Sequence, residues 1–81
     1  MITTDCSLRV KNIISEKLGL QVAALSNELS FQKDLGVDSL DFCEVVWAVE
    51  KNFKLSIPDE EMENIDTVGQ LINYVDQRVA A

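Results

Sequence analysis

The chain has 81 residues, 14 acidic and 7 basic side chains and no histidine, for a net charge of −7 at neutral pH. This length builds one domain at most, and a composition 47% apolar with three glycines and one proline suits a folded helical domain better than a disordered chain. Without histidine the commonest general base and metal ligand are both missing, which excludes Ser-His and Cys-His catalysis within the chain and leaves chemistry to a cofactor or a partner.

Over residues 5–18, Val10, Ile13, Ile14 and Leu18 recur at spacings of three and four, which predicts an amphipathic helix. Thr4 or Asp5 is available as its N-cap and Gly19 as its stop. From Leu20 to Val37 no helical stripe is sustained, yet Leu20, Val22, Leu25, Leu29, Phe31 and Leu35 recur. The segment reads as a long loop with one short helical turn, pinned to the core by those side chains. Structureless loops longer than ~12–15 residues are uncommon in compact domains, so the anchors matter.

Residues 39–53 place Leu40, Cys43, Val46, Trp47 and Phe53 along one side of a second helix, with Val45 and Val49 widening the stripe. Asp41, Phe42, Glu44 and Lys51 are left toward solvent. Pro58, followed by Asp59, Glu60 and Glu61, starts a short third helix ending near Asn64, because proline suits a first turn and carboxylates there complement the positive end of the helix dipole. Thr67-Val68-Gly69-Gln70 reads as a capping box. Val68, Leu71, Ile72, Val75 and Val79 then carry a fourth helix to about Val79. The expected fold is all-α: a small four-helix bundle of three longer helices and one short one, with a long first loop, residues 1–81 forming a single domain.

Cys6 and Cys43 are the only cysteines; their separation suggests neither a disulfide framework nor a zinc site, and both are expected to stay reduced. No apolar run approaches the roughly 18 residues of a membrane span, and residues 1–10 lack the pattern of a signal peptide. A soluble, cytoplasmic protein with no membrane insertion is expected.

The charge is regional. Residues 1–33 balance four bases against three acids, residues 34–66 set ten acids against Lys51 and Lys54, and residues 67–81 hold Asp76 and Arg78 alone. The middle segment repels nucleic acid and anionic membrane and steers basic protein surfaces toward it. Within it, Asp38 can cap the second helix, which places Ser39 in the first turn, where free N–H groups and the positive dipole end point outward. A phosphodiester on Ser39 would sit in that favourable field. An Asp-Ser pair by itself merely starts a helix; its surroundings add the function.

Those surroundings, Asp34-Leu35-Gly36-Val37-Asp38-Ser39-Leu40-Asp41, resemble the phosphopantetheine attachment sequence of bacterial acyl carrier proteins. The likeness extends through Glu44 to Phe53, Ile57-Pro58-Asp59-Glu60-Glu61 and the Thr67-Val68 helix start, in the family's order and spacing. The resemblance implies that Ser39 receives 4′-phosphopantetheine from coenzyme A through a separate phosphopantetheinyl transferase, with Asp38 and Leu40 completing the motif, and that the arm's thiol carries acyl groups as thioesters. It implies a non-catalytic, monomeric carrier with no catalytic residue and no metal of its own. Asp38, Asp41, Glu44 and Glu50, with the Asp59 to Glu63 cluster, would meet basic patches on fatty acid synthesis enzymes. Exposed ion pairs are worth roughly 0 to 1 kcal/mol each, so such recognition is transient. Val45, Val46, Val49, Ile57, Met62 and Ile65 would shelter the acyl chain. Against the family pattern, Phe42, Trp47, Lys51 and Lys54 are departures that bear on partner choice and cargo. The alternative is a specialised carrier of polyketide or other unusual acyl or aminoacyl groups. An unmodified helical adaptor is the competing reading from another class.

Overall fold

The structure, a computed structural model, describes the backbone of residues 2–80 and the side chains of residues 6–79. The first helix, α1 (Ile2–Leu18), buries Cys6, Val10, Ile13 and Ile14, the single apolar face that its spacing of three and four requires. It begins earlier than expected. Thr4 and Asp5 lie inside the helix, so neither is the N-cap; no glycine or proline before them interrupts the helical backbone. Gly19 ends α1 at φ 70°, and the amides of Gly19 and Leu20 both donate to the Ser15 carbonyl, at 2.9 and 3.2 Å. This left-handed C-terminal turn is one that glycine adopts without the steric cost of a β-carbon.

The segment that follows contains the expected single turn, a 3-10 helix over Val22–Ala24. Leu25, Phe31 and Val37 are buried in the core, and Leu20, Leu29 and Leu35 lie half-buried against it. Backbone hydrogen bonds also hold this loop. The Phe31 amide donates to the Asp66 carbonyl at 2.8 Å, the Val68 amide to Leu29 at 3.0 Å and the Gly69 amide to Asn27 at 2.8 Å, with an antiparallel bridge between Ser30 and Thr67. A β-carbon at Gly69 would lie 2.9 Å from the Asn27 carbonyl oxygen, so glycine is what lets the two segments touch.

Helix α2 (Ser39–Phe53) has the expected bounds, but its buried face differs from the expected one. Val45, Val46 and Val49 are fully buried, whereas Leu40 is 63% and Trp47 56% exposed. Phe42, expected in solvent, turns inward and packs on Phe31 with ring centroids 5.1 Å apart. The inward stripe therefore runs Phe42, Val45, Val46, Val49 and Phe53. One residue turns a helix by about 100°, and the run of apolar residues from Val45 to Val49 tolerates either phase. Asp41, Glu44 and Lys51 are exposed as expected, and Cys43 is half-buried. Arg9 of α1 ties down the far end of α2, donating to Asn52 Oδ1 at 2.6 Å and lying over the Phe53 ring at 4.2 Å.

The connection out of α2 turns through Lys54, which has φ 57°, and the amide of Ile57 donates to Glu50 Oε2 at 2.7 Å. Helix α3 (Asp59–Met62) follows with Pro58 at its N-cap, one position before the expected first turn. It stops before Asn64 and continues as a turn, the Asn64 and Ile65 amides donating to Glu61 and Met62 at 3.1 Å. Helix α4 (Val68–Ala80) starts with the expected capping box: the Gln70 amide donates to Thr67 Oγ1 at 3.1 Å, and Gln70 Oε1 accepts from the Asp66 and Thr67 amides at 2.6 and 3.1 Å. Val68, Leu71, Ile72 and Val75 are buried, while Val79 is exposed.

Helix α1 packs on both α2 and α4, so one core joins the three long helices, and the short α3 sets half-buried Met62 against it. Leu71 is fully buried on α4 whereas Leu8 is 52% exposed on α1. Truncating Leu71 to alanine is expected to cost about 2–5 kcal/mol, and Leu8→Ala less than about 0.5 kcal/mol. Urea unfolding followed by circular dichroism measures both.

Candidate functional site

Residues 30–37 close on themselves before α2 begins. The Asp34 and Leu35 amides donate to the Ser30 carbonyl at 3.0 and 3.1 Å, and the Val37 amide donates to the Phe31 carbonyl at 2.8 Å. Gly36 holds φ 65° within this turn. Ser30 is only 5% exposed; its amide donates to Asp34 Oδ2 at 2.7 Å and its hydroxyl to Asp66 Oδ1 at 2.8 Å. The loop is thereby joined to the start of α4, and buried Val37 delivers the chain to α2 from a fixed anchor.

Asp38 then caps α2. Its backbone is extended, with φ −87° and ψ 179°, and its Oδ1 accepts the Asp41 amide at 2.8 Å. That cap leaves the Ser39 and Leu40 amides among the helix donors that no intrahelical carbonyl reaches. Ser39 is exposed, and among the described residues no side-chain hydrogen bond ties up its hydroxyl. The other serines differ. Ser30 and Ser15 spend their hydroxyls on Asp66 and on the Leu20 carbonyl, Ser7 is half-buried within α1, and Ser26 and Ser56 lie on loops. Ser39 alone joins exposure to a place in the first turn of a long helix.

Ser39 stands at the rim of an open cleft of about 610 Å³, bounded by Phe31, Lys33 and Val37 of the loop, Phe42 and Cys43 of α2, and Asp59, Met62, Ile65 and Asp66 around α3. Of the six side chains expected to shelter cargo, Met62 and Ile65 line this cleft. Val45, Val46, Val49 and Ile57 lie in the core, each at most 4% exposed. Phe31 and Cys43, expected among the apolar anchors of the loop and of α2, also line the cleft; the residue that the sequence reading misplaced is Phe42, expected in solvent, and the phase of α2 was the signal that would have found it.

Asp38 at the N-cap and Asp41 and Glu44 on the first half of α2 are exposed, beside exposed Leu40. Glu50 is half-buried and has one oxygen engaged by the Ile57 amide, so part of its carboxylate holds the α2–α3 connection. Asp59, Glu60 and Glu63 are exposed, whereas Glu61 is half-buried and lies 3.7 Å from Arg78. Among the described residues no cluster of potential ligands is arranged to hold a metal ion, and no helix is long and apolar enough to cross a membrane. Burial raises the pKa of the Cys6 thiol above its ordinary value, with Asp76 adding to the rise.

An exposed hydroxyl, adjacent free amides and a half-apolar cleft fit a serine-linked phosphodiester with a long flexible extension. The cap that creates this arrangement is separable by mutation. Asp38→Ala should cost about 1 kcal/mol, while Asp38→Asn, an equally good cap, should cost only a few tenths. Thermal unfolding of the two variants checks the difference, and equal losses would show that the side-chain oxygen at this position does not hold α2.

The family model for the phosphopantetheine attachment site matches residues 8–75, a span that contains the loop, α2, α3 and most of α4. The solved structure of an acyl carrier protein from Enterococcus faecalis is similar over 95% of this chain and 98% of that one, at 30% identity and a TM-score of 0.78. Domains of this family are where 4′-phosphopantetheine is attached covalently. The bundle, the capped serine turn and these matches agree: the chain belongs to the phosphopantetheine-attachment family, as a carrier of the acyl carrier protein type.

Proposed function

We propose that Ser39 takes the 4′-phosphopantetheine arm and that the chain, as a single non-catalytic carrier domain, presents acyl intermediates to the enzymes of fatty acid synthesis. The observation that carries this reading is the exposed Ser39 hydroxyl in the first turn of α2, held there by the Asp38 cap. When bound, the arm supplies a terminal thiol that holds acyl groups as thioesters. This chain's own residues do the rest. The amides at the start of α2 offset the charge of the phosphodiester, and Leu40, 63% exposed beside the attachment point, offers an apolar contact to whatever docks there.

The cleft between Phe42, Met62 and Ile65 is suited to shelter part of the cargo. At about 0.8 kcal/mol per methylene covered, a few methylenes are enough to retain a chain and few enough to release it. Asp38, Asp41 and Glu44, with a contribution from the free edge of Glu50, form the surface for basic patches on the phosphopantetheinyl transferase and the synthesis enzymes. The carrier works as a monomer in the cytoplasm. The reading of a specialised carrier for polyketide or other unusual acyl or aminoacyl cargo is favoured by one observation: exposed Trp47 and Lys51 interrupt the acidic face of α2.

A phosphopantetheinyl transferase with coenzyme A is expected to add one arm to the wild type and none to Ser39→Ala, read by intact mass. Equal labelling of both, or of neither, contradicts the assignment. Loading by a malonyl transferase rather than by an adenylating enzyme separates fatty acyl from aminoacyl cargo. The rate of malonyl loading should fall as ionic strength rises, because exposed carboxylates steer the encounter through charges that salt screens beyond about 10 Å at 0.1 M, and Asp41→Asn with Glu44→Gln should flatten that dependence.

A further inference from the structure

The side chains that follow Ser39 on its own face of α2 come in a fixed order. Residues three and four apart are neighbours on a helix surface, so Phe42 and Cys43 lie one turn beyond Ser39, with Val46 and then Val49 beyond them. At 1.5 Å per residue, Phe42 stands about 4.5 Å and Val46 about 10.5 Å along the axis from the attachment point. Phe42 and Cys43 line the cleft beside Ser39, whereas Val45, Val46 and Val49 have no part in its walls and are fully buried. The cleft ends one turn into the helix.

What ends it is braced. The Phe42 ring packs on Phe31 with centroids 5.1 Å apart and planes 57° apart, within the range in which tilted aromatic pairs attract. Phe31 is itself fixed: its amide is held by the Asp66 carbonyl and its carbonyl accepts the Val37 amide, both at 2.8 Å. The Phe42 amide donates to the Asp38 carbonyl at 2.9 Å. An acyl chain entering beside Ser39 therefore meets the half-buried ring of Phe42 before it reaches any valine. A longer chain has to turn out over exposed Lys33, Asp59, Glu63 and Asp66, which border the cleft, and methylenes left there stay in water and gain nothing.

We propose that Phe42 is a cargo stop, a specificity-determining residue that closes the valine core of α2 to the acyl chain. This rests on the Ser39 carrier reading and deepens it by naming the cargo class: a short acyl group is sheltered whole in the cleft, and a longer one keeps its tail in solvent. The side chains that would shelter a long chain, Val45, Val46 and Val49, stand behind the stop.

The full chain is loaded by a phosphopantetheinyl transferase from butyryl-, hexanoyl-, octanoyl- and decanoyl-coenzyme A, and thermal unfolding is followed for the wild type, Phe42→Ala, Phe42→Leu and Val46→Ala. In the wild type, Tm should rise by less than about 3 °C from the butyryl to the decanoyl form. Phe42→Ala leaves a void beside Phe31 and opens the way to Val46, so its rise over the same series should exceed that of the wild type by at least about 6 °C. Phe42→Leu keeps an apolar contact on Phe31 and, should the alanine variant fail to fold, decides by an excess of at least about 3 °C. Val46→Ala makes a void behind the stop with Phe42 in place, so its rise should stay within about 3 °C of the wild type's. A steeper wild-type series, a smaller excess in the Phe42 variant that folds, or a Val46→Ala series outside that margin overturns the proposal. Intact mass of the same samples separates the two readings: a wild type that gains no arm removes the Ser39 assignment and the stop together, whereas loaded chains with the wrong Tm series remove the stop alone.

Discussion

The start of α2 depends on the closed loop that precedes it. Val37 is buried, its amide is held by the Phe31 carbonyl, and the next residue turns its carboxylate onto the Asp41 amide. These contacts place a serine hydroxyl outward at a helix origin, on backbone that cannot easily drift. The loop is in turn held to the α3–α4 connection by the Ser30 hydroxyl on Asp66 and by the Phe31 and Val68 amides. Without those ties, a segment of this length would contribute disorder at the start of α2.

In the proposed reading, rigidity at Ser39 and weak recognition around it serve the same purpose. A carrier must meet several enzymes in turn, so its contacts have to form quickly and release quickly. Exposed carboxylates supply attraction at range without much binding energy. The cleft beside Ser39 has the same intermediate character: it is open, its walls mix Phe42, Met62 and Ile65 with Lys33, Asp59 and Asp66, and it does not merge with the fully buried valines of α2. The aromatic pair of Phe31 and Phe42 separates core from cleft and gives the loop and helix a shared wall.

Local patterns were the part of this molecule legible in sequence. Thr67 and Gln70 stand at capping-box spacing, Asp38 precedes the helix it caps, and Gly19 takes the left-handed turn; each is settled within a few residues of chain. The four-helix order and the Ser39 turn could be read for that reason. Facts set by distant partners could not. Trp47 and Phe42 exchange inside for outside because α1 and the loop decide which phase of α2 is covered, and the valine-rich centre of that helix suits both. The bond from Ser30 to Asp66 spans 36 residues and has no local signature. Glu50 looks like any surface acid until the Ile57 amide is found on it, and the early start of α1 follows from the lack of any interruption ahead of Thr4.

The central claim is that one hydroxyl, among six in the serines of this chain, is the tether. Fragmentation mass spectrometry of the enzymatically labelled wild type, with the added group mapped to a single residue, tests it most directly. The added group is predicted on Ser39 in every labelled molecule; its appearance on exposed Ser26 or Ser56 would contradict the claim.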